Sequence, residues 1–161
     1  IGKLTKLKIL ELGSNSLTAL PDTIGQMKSL EILNISFNRL IRFPESIGQL
    51  TKLKELKAHN NKLADTKIAG IPDSFGQMKA LEILDLQSNM LTKLPDSIGK
   101  LTNLKEFYIQ NNQLKTLPDS VGQLTKLKKF EFHSNNFGEV SGTLKNALDK
   151  LRSSGCNLWG Y

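Results

Sequence analysis

Apolar residues recur along this chain at a fixed set of short spacings. The segment 81–94 shows the pattern most clearly, because leucine occupies positions 81, 84, 86, 91 and 94. Leu84 and Leu86 lie two residues apart, so their side chains share one face of a short β-strand. Pro95 and the pair Ile98-Gly99 follow, and a proline that fixes φ and needs no donor favours a helical or 3₁₀ turn. The pattern therefore predicts one short strand and one short turn in each unit.

The same unit repeats along most of the chain. Successive units are separated by 23, 23, 28, 23 and 23 residues. All five prolines follow this period, at Pro21, Pro44, Pro72, Pro95 and Pro118. Asparagine follows it too, at Asn15, Asn38, Asn61, Asn89, Asn112 and Asn135. One unit is too small to enclose a core, but stacked units bury a continuous one, so the period predicts a solenoid of parallel strands.

Several columns of the repeat have predicted structural roles. The asparagines are expected to be buried at the turn after each strand, where their amides bond backbone groups that the turn leaves unpaired. Acids that follow the prolines suit the start of a helical turn, at Asp22, Asp73, Asp96 and Asp119. Each glycine of the turn is expected to close it by adopting a positive φ. The residue before that glycine is expected in the convex-side core, at Ile24, Ile47, Phe75, Ile98 and Val121.

This repeat resembles the leucine-rich-repeat family over residues 1–143. The Leu-Pro-x-x-Ile-Gly variant is similar to the 23-residue class of Ras-group scaffolds, which includes Scribble- and Erbin-type proteins and the repeat region of fungal adenylyl cyclase. The resemblance implies an α/β horseshoe with a parallel concave β-sheet and short helical or 3₁₀ segments on the convex side. It also implies an intracellular signalling scaffold, with a small Ras-like GTPase or a protein phosphatase as candidate partner.

Two features interrupt the array of six units. The interval of 28 residues places five extra residues within 64–70, after a strand and its turn. Such an insertion maps to an edge loop, which either is tolerated on the surface or takes part in binding. The first unit begins in mid-motif at Ile1-Gly2, so we expect further repeats upstream of it.

Residues 144–161 depart from the repeat and are expected to cap the array. Apolar residues at helical spacing predict a helix that Thr143 caps, at Leu144, Ala147, Leu148 and Leu151. Gly155 is expected to end this helix, and residues 156–159 to form a short last strand. Trp159 and Tyr161 would then cover the open end of the core, since terminal repeats are usually atypical.

The amino-acid composition limits the cellular compartment and the classes of partner that we expect for this protein. The chain of 161 residues has one cysteine, which can form neither an internal disulfide nor a cysteine-rich zinc site, so we expect a cytoplasmic protein. No apolar run approaches the roughly 20 residues that span a bilayer, so membrane insertion is not expected. The net charge of +7 first suggests nucleic-acid binding. Nucleic-acid binding would need interleaved aromatic residues or arginine forks, and arginine is rare, so we predict no nucleic-acid partner.

Catalytic chemistry finds little support in the sequence. His59 and His133 occupy equivalent positions three strand steps apart, a separation of roughly 14 Å that excludes a shared metal or a proton relay. Cys156 has no histidine beside it in the sequence, so we predict that it is a small packing residue of the cap and not a nucleophile. No phosphate-binding loop, dinucleotide fingerprint or metalloprotease pattern occurs. We therefore predict a protein that is not an enzyme and needs no cofactor or metal.

The strand positions between the leucines are the better candidates for function. Their side chains point outward from the concave sheet, and the repeat core does not dictate them. Across the six strands they include five acids and two lysines, a net charge of −3. We predict that a protein partner binds here, at Ile32, Asn34, Glu55, Lys57, His59, Ile83, Asp85, Glu106, Tyr108, Lys129 and Glu131.

Two alternatives place the function elsewhere. Lysines concentrate where each unit enters its strand, and this lysine edge is formed by Lys6, Lys8, Lys28, Lys52, Lys54, Lys79, Lys105, Lys126 and Lys128. A structural or cytoskeletal assembly component would use that edge or the 64–70 insertion. A bacterial-type effector or adhesin would use the same repeats in another setting. Either the edge steers an acidic partner or it is a solvated surface.

Overall fold

The structure is a computed structural model that describes residues 1–65, 69–138 and 142–160, apart from the side chain of Thr143. Within these ranges the chain forms one sheet of seven parallel three-residue strands in sequence order. They are β1 Ile9–Glu11, β2 Ile32–Asn34, β3 Glu55–Lys57, β4 Ile83–Asp85, β5 Glu106–Tyr108, β6 Lys129–Glu131 and β7 Asn157–Trp159. The solenoid predicted from the period is confirmed.

Each of the five proline positions immediately precedes a five-residue 3₁₀ helix. The helices are Asp22–Gln26, Glu45–Gln49, Asp73–Gln77, Asp96–Lys100 and Asp119–Gln123. The prolines adopt extended backbone angles, for example φ −71° at Pro21, and an acid opens every helix. Acids stabilise this end because unpaired backbone N–H groups lie there.

The core lies between the sheet and the 3₁₀ helices. Equivalent residues are paired along the sheet, so that Leu33, Leu56, Leu84 and Phe107 form one continuous buried row. The convex-side column predicted from the sequence is fully buried, at Ile24, Ile47, Phe75, Ile98 and Val121. Each strand and each 3₁₀ helix contacts only its neighbours in the array. The core is therefore built by stacking, as expected of a solenoid.

Asn61 shows how the asparagine column joins the units. Its Oδ1 accepts a hydrogen bond from the Leu40 N–H at 3.0 Å, in the preceding unit. Its Nδ2 donates to the carbonyl oxygens of Ile35 at 3.0 Å and Ala58 at 3.1 Å. Asn38, Asn89, Asn112 and Asn135 repeat this arrangement. Asn15 differs: it is exposed, so its predicted burial is wrong, and both of the bonds from its Nδ2 stay within its own turn.

The glycines of the turns do not adopt positive φ, so that prediction is wrong. Among the glycines that the structure describes, Gly155 alone has such an angle, +85°. The turn glycines instead lie where neighbouring 3₁₀ helices touch. A Cβ on Gly76 would lie 2.8 Å from the carbonyl oxygen of Ser97, and the equivalent distance is shorter still at Gly25, Gly48 and Gly99. Glycine is required here by close backbone approach.

The C-terminal segment forms helix α1, Gly142–Ser153, and then strand β7. The helix begins one residue before Thr143, so Thr143 is helical and is not the residue that precedes the helix. Gly155 ends it as predicted, and its N–H donates to the Arg152 carbonyl oxygen at 3.0 Å. Leu151 and Cys156 are buried, whereas Trp159 is 55% exposed. Tyr161 lies outside the described residues.

The first residues of the insertion are tied to the following unit. Ala64 forms an isolated parallel bridge with Met90. Asp65 Oδ2 accepts hydrogen bonds from Thr92 N, from Thr92 Oγ1 and from Lys93 N at 2.9–3.1 Å. Residues 66–68 of the insertion lie outside the described residues. Of the helices described, none has the length and apolarity needed to cross a bilayer.

Candidate functional site

A depression of about 500 Å³ occupies the concave face over strands β3–β6. Parallel pairing in exact register stacks equivalent side chains at the spacing of adjacent strands, about 4.8 Å. The depression is lined by Glu55, Lys57, Ile83, Asp85, Gln87, Glu106, Tyr108, Gln110, Lys129 and Glu131. Eight of these ten residues were predicted from the sequence. Ile32, Asn34 and His59 lie outside its lining, on the same face.

Three of the four acids in the depression are paired with a lysine or with Tyr108. Lys57 forms an ion pair with Glu55. Lys129 Nζ lies 2.8 Å from Glu131 Oε1, and the Tyr108 hydroxyl donates to Glu106 Oε2 at 2.6 Å. These side chains therefore hold one another in place.

These ion pairs and hydrogen bonds also shift the pKa values of side chains in the depression. The hydrogen bond to Glu55 raises the pKa of Lys57, and the bond to Glu131 raises the pKa of Lys129. Partial burial, together with the Glu106 carboxylate, raises the pKa of Tyr108. Both lysines are therefore charged and Tyr108 is neutral at physiological pH.

Asp85 is buried, whereas the sequence reading expected it to be exposed. It is 8% exposed because the register places it between Lys57 on β3 and Tyr108 on β5. Its Oδ1 accepts the Gln87 N–H at 3.1 Å, and His59 Nε2 lies 4.0 Å from Oδ2. Burial raises the pKa of this carboxyl above its ordinary value. No lysine or arginine forms an ion pair with Asp85 in the described part of the chain.

Two glutamines belong to the depression although the sequence did not single them out. Gln110 is 6% exposed, and its Nε2 donates to Gln87 Oε1 at 2.7 Å and to Glu131 Oε2 at 3.0 Å. Its Oε1 is buried and has no hydrogen-bond partner among the described residues. Both glutamines follow a strand at the third outward position. That shared position is the signal that could have identified them.

The apolar side chains of the face differ in exposure. Ile32 and Ile83 are half-buried between strand neighbours, and Ile9 on the first strand is 54% exposed. Phe37 was not predicted, yet it is 55% exposed and its ring packs edge-on against His59 with centroids 5.0 Å apart. Its φ of +54° is unusual for an aromatic residue. Equivalent turn positions hold only serine or asparagine, and this contrast could have identified Phe37.

Two glutamates at the strand-entry positions partly neutralise the positive charge of the lysine edge. Glu31 lies 2.6 Å from Lys54 and 3.2 Å from Lys8, and Glu82 lies 2.7 Å from Lys105. Hydrogen bonds from these lysines lower the pKa of both glutamates. Exposed ion pairs of this kind contribute little to stability. The edge is therefore a mixed charged surface that joins neighbouring units.

In the part of the chain that the structure describes, neither a metal-ligand cluster nor a reactive thiol lies at the depression. Within the described ranges, no three His, Cys, Asp or Glu side chains are arranged to hold a metal ion. Cys156 is buried, and burial raises its thiol pKa to about 11. A thiol with such a pKa is protonated and a poor nucleophile at neutral pH.

Comparisons with known proteins agree with the repeat and the sheet. A family model for leucine-rich repeat regions matches residues 1–82 and 62–154. A leucine-rich-repeat protein from Leptospira interrogans is 31% identical with a TM-score of 0.57, over 98% of this chain and 50% of that one. A comparison with curated proteins gives no match.

Two further solved structures extend the likeness to longer proteins. The functional domain of InlJ from Listeria monocytogenes is 27% identical with a TM-score of 0.70, over 87% of this chain and 28% of that one. The Arabidopsis receptor kinase HAESA, solved with the peptide hormone IDA and the co-receptor SERK1, is 31% identical with a TM-score of 0.73. That match covers 83% of this chain and 23% of HAESA, so this chain spans half or less of each structure. The chain belongs to the leucine-rich-repeat family, whose domains are typically non-enzymatic modules for protein–protein interaction.

Proposed function

We propose that this chain binds a folded protein partner through its concave sheet, as part of a signalling scaffold. The observation that carries the proposal is the depression over β3–β6. Its side chains differ from unit to unit, whereas the leucine, asparagine and glycine columns repeat. Residues that neither the core nor the turns require are free to be used for recognition.

The composition of the depression suits a protein partner. Half-buried Ile83 and Tyr108 offer apolar contact area, and ion pairs surround them. A central apolar or aromatic anchor with a polar rim is the usual anatomy of a protein interface. The net charge of −3 over the outward strand positions favours a partner with a basic surface.

The cytoplasmic setting and the partner class are part of the same proposal. The Leu-Pro-x-x-Ile-Gly turn supports a Ras-group scaffold, and therefore a small Ras-like GTPase or a protein phosphatase as partner. The single cysteine supports a reducing compartment, since the protein needs no disulfide.

A photo-crosslinking experiment tests which surface is used. A benzophenone amino acid replaces Tyr108 in one variant, Lys79 on the lysine edge in a second, and Gln123 on the convex side in a third. Each variant is incubated with a purified small Ras-like GTPase or a purified phosphatase catalytic subunit. The proposal predicts a covalent adduct from position 108 with one of these proteins. Adducts from position 79 or 123 alone would overturn the concave face as the platform.

Two other functions are favoured by particular observations. A structural component would assemble through the lysine edge, where Lys28 and Lys79 already bridge neighbouring units. A bacterial effector or adhesin is favoured by the likeness to the Leptospira and Listeria structures. The crosslinker at position 79 tests the first of these, because assembly through the edge would give adducts between copies of this chain.

A further inference from the structure

We infer that the concave depression receives an arginine side chain of the partner, with Asp85 as its anion and the Tyr108 ring beside it. This inference rests on the proposed function and names the chemistry that the partner must present. Two buried acceptors in the depression carry it, Asp85 and Gln110.

Asp85 is the one acid lining the depression that is bonded to neither a lysine nor Tyr108. Glu55, Glu106 and Glu131 are each bonded to a lysine or to Tyr108. The carboxylate of Asp85 is held by the Gln87 backbone at Oδ1, while contacts to Oδ2 are long: 3.4 Å to Gln87 Nε2 and 4.0 Å to His59 Nε2. A buried carboxylate without a close cation is stabilised when a cation enters beside it.

Gln110 supplies the second, independent observation. Its side chain is buried and lines the same depression, yet its Oε1 has no donor among the described residues. A buried acceptor without a donor is unfavourable, and most such groups in proteins are paired. Its Nε2 is already committed to Gln87 and Glu131, so rotation of the amide would break two bonds. A hydrogen-bond donor that enters the depression would supply the missing partner.

A guanidinium can pair with the Asp85 carboxylate and donate to the Gln110 amide oxygen better than an ammonium can. It carries five N–H donors in a fixed plane, so one group can serve a carboxylate and an amide oxygen together. The Tyr108 ring already attracts a cation, because Lys129 Nζ lies 4.9 Å from its centroid. Arginine stacks on such rings more often than lysine does. The depression thus combines an anion, an acceptor and an aromatic surface for one planar cation.

The probe for this site is the capped peptide acetyl-Gly-Arg-Gly-amide, titrated into the ¹⁵N-labelled protein. The comparison peptide carries citrulline, which keeps the shape of arginine and removes its charge. We expect saturable shifts of the Gln87 and Gln110 side-chain amides, with a Kd on the order of millimolar, typical of a single side chain. The citrulline peptide is expected to give no saturable shift.

Asp85→Asn is the matched variant, because an asparagine already occupies the equivalent position in another unit of this chain. Asn34 occupies the equivalent position on β2, and its Oδ1 accepts the Ser36 N–H at 3.0 Å, as Asp85 accepts Gln87. The variant is therefore expected to fold and to weaken binding of the arginine peptide at least tenfold. Asp149→Asn removes the same charge from exposed α1 and is expected to leave the Kd unchanged.

Two results would overturn the inference. One is binding of the citrulline peptide, or of a lysine peptide, with the same Kd as the arginine peptide. The other is an unchanged Kd in Asp85→Asn while Asp149→Asn behaves in the same way. Failure here is separate from failure of the proposed function, because a partner can still crosslink at position 108 when no arginine enters the depression.

Discussion

At the residue scale, the asparagine column from Asn38 onward links each unit to the one before it. Asn61 makes bonds both to its own turn and to the preceding strand and turn, and the side chain is buried. One amide thus satisfies a backbone N–H and several carbonyls that the parallel strands leave unpaired. This explains why asparagine, which offers both donors and an acceptor in a short side chain, recurs once in each unit.

Replacement of Asn61 by alanine should therefore be strongly destabilising. We expect Asn61→Ala to lower the free energy of unfolding by about 3 kcal/mol, since buried backbone groups lose their partners. Asn15→Ala is the matched control, because Asn15 is exposed and bonds only its own turn. Its expected loss is about 0.5 kcal/mol. Chemical denaturation measures both, and equal losses would contradict the linking role.

The buried carboxyl of Asp85 predicts a pH dependence of stability. Burial raises its pKa in the folded state, so the folded protein binds this proton more tightly than the unfolded chain does. The stabilisation is present below the unfolded pKa of about 3.9 and is lost as the pH rises through the folded pKa. Asp85→Asn should therefore be more stable than the wild type at pH 7, with an advantage that shrinks toward pH 3. Denaturation at both pH values checks this, and a constant difference would contradict it.

At the scale of the elements, the 3₁₀ helices pack by direct backbone contact. A Cβ on Gly76 would meet the Ser97 carbonyl oxygen at 2.8 Å and the Ser97 Cβ at 2.9 Å. Both atoms belong to the next 3₁₀ helix and can move only if that helix moves. The glycine column therefore sets the distance between units on the convex side.

A single methyl group in this column should disturb the packing. We expect Gly76→Ala to lower the free energy of unfolding by about 1–3 kcal/mol through overpacking. Gly138→Ala is the control, because a Cβ there meets no atom of the described residues within 4 Å. That variant is expected to be neutral or slightly more stable. Thermal unfolding of the two variants checks the difference, and a neutral Gly76→Ala would refute close approach as the reason for glycine.

The glycine column also shows which structural features could not be predicted from the sequence. Periodicity located the strands, the turns, the asparagines and the cap helix, because these depend on spacing within one unit. The reason for Gly76 depends on the neighbouring unit, and spacing along the chain does not measure that distance. Burial of Asp85 likewise follows from the large side chains of Lys57 and Tyr108 on adjacent strands. Positive φ recurs at Phe37 and at the five equivalent turn positions, and no glycine marks it in the sequence.

At the scale of the whole molecule, the strands and helices that the structure describes contact only their neighbours in the array. Helix α1 contacts the 3₁₀ helix Asp119–Gln123 and strand β7, and no element further away. Stability in such a solenoid is a sum of units and of the interfaces between them. A defect at one end should therefore weaken that end first.

Leu151→Ala tests this arrangement. Leu151 lies on α1 and is fully buried, and its truncation should remove about 2–5 kcal/mol. We expect faster amide hydrogen exchange in β6 and β7, with protection in β2 and β3 retained. The exposed substitution Lys145→Ala is the control. Equal acceleration in all strands would show that the array unfolds as one unit.

The central claim is that the concave face, and not the lysine edge, binds the partner. The most direct measurement is the Kd of the protein crosslinked at position 108 for three forms of the chain. Ile83→Ala with Tyr108→Ala is expected to weaken binding more than tenfold, a loss of over about 1.4 kcal/mol, with thermal stability matched to the wild type. Charge reversal at Lys52, Lys54 and Lys79 is expected to change the Kd less than threefold. A Kd unaffected by the concave pair and weakened tenfold by the lysine reversals would contradict the account.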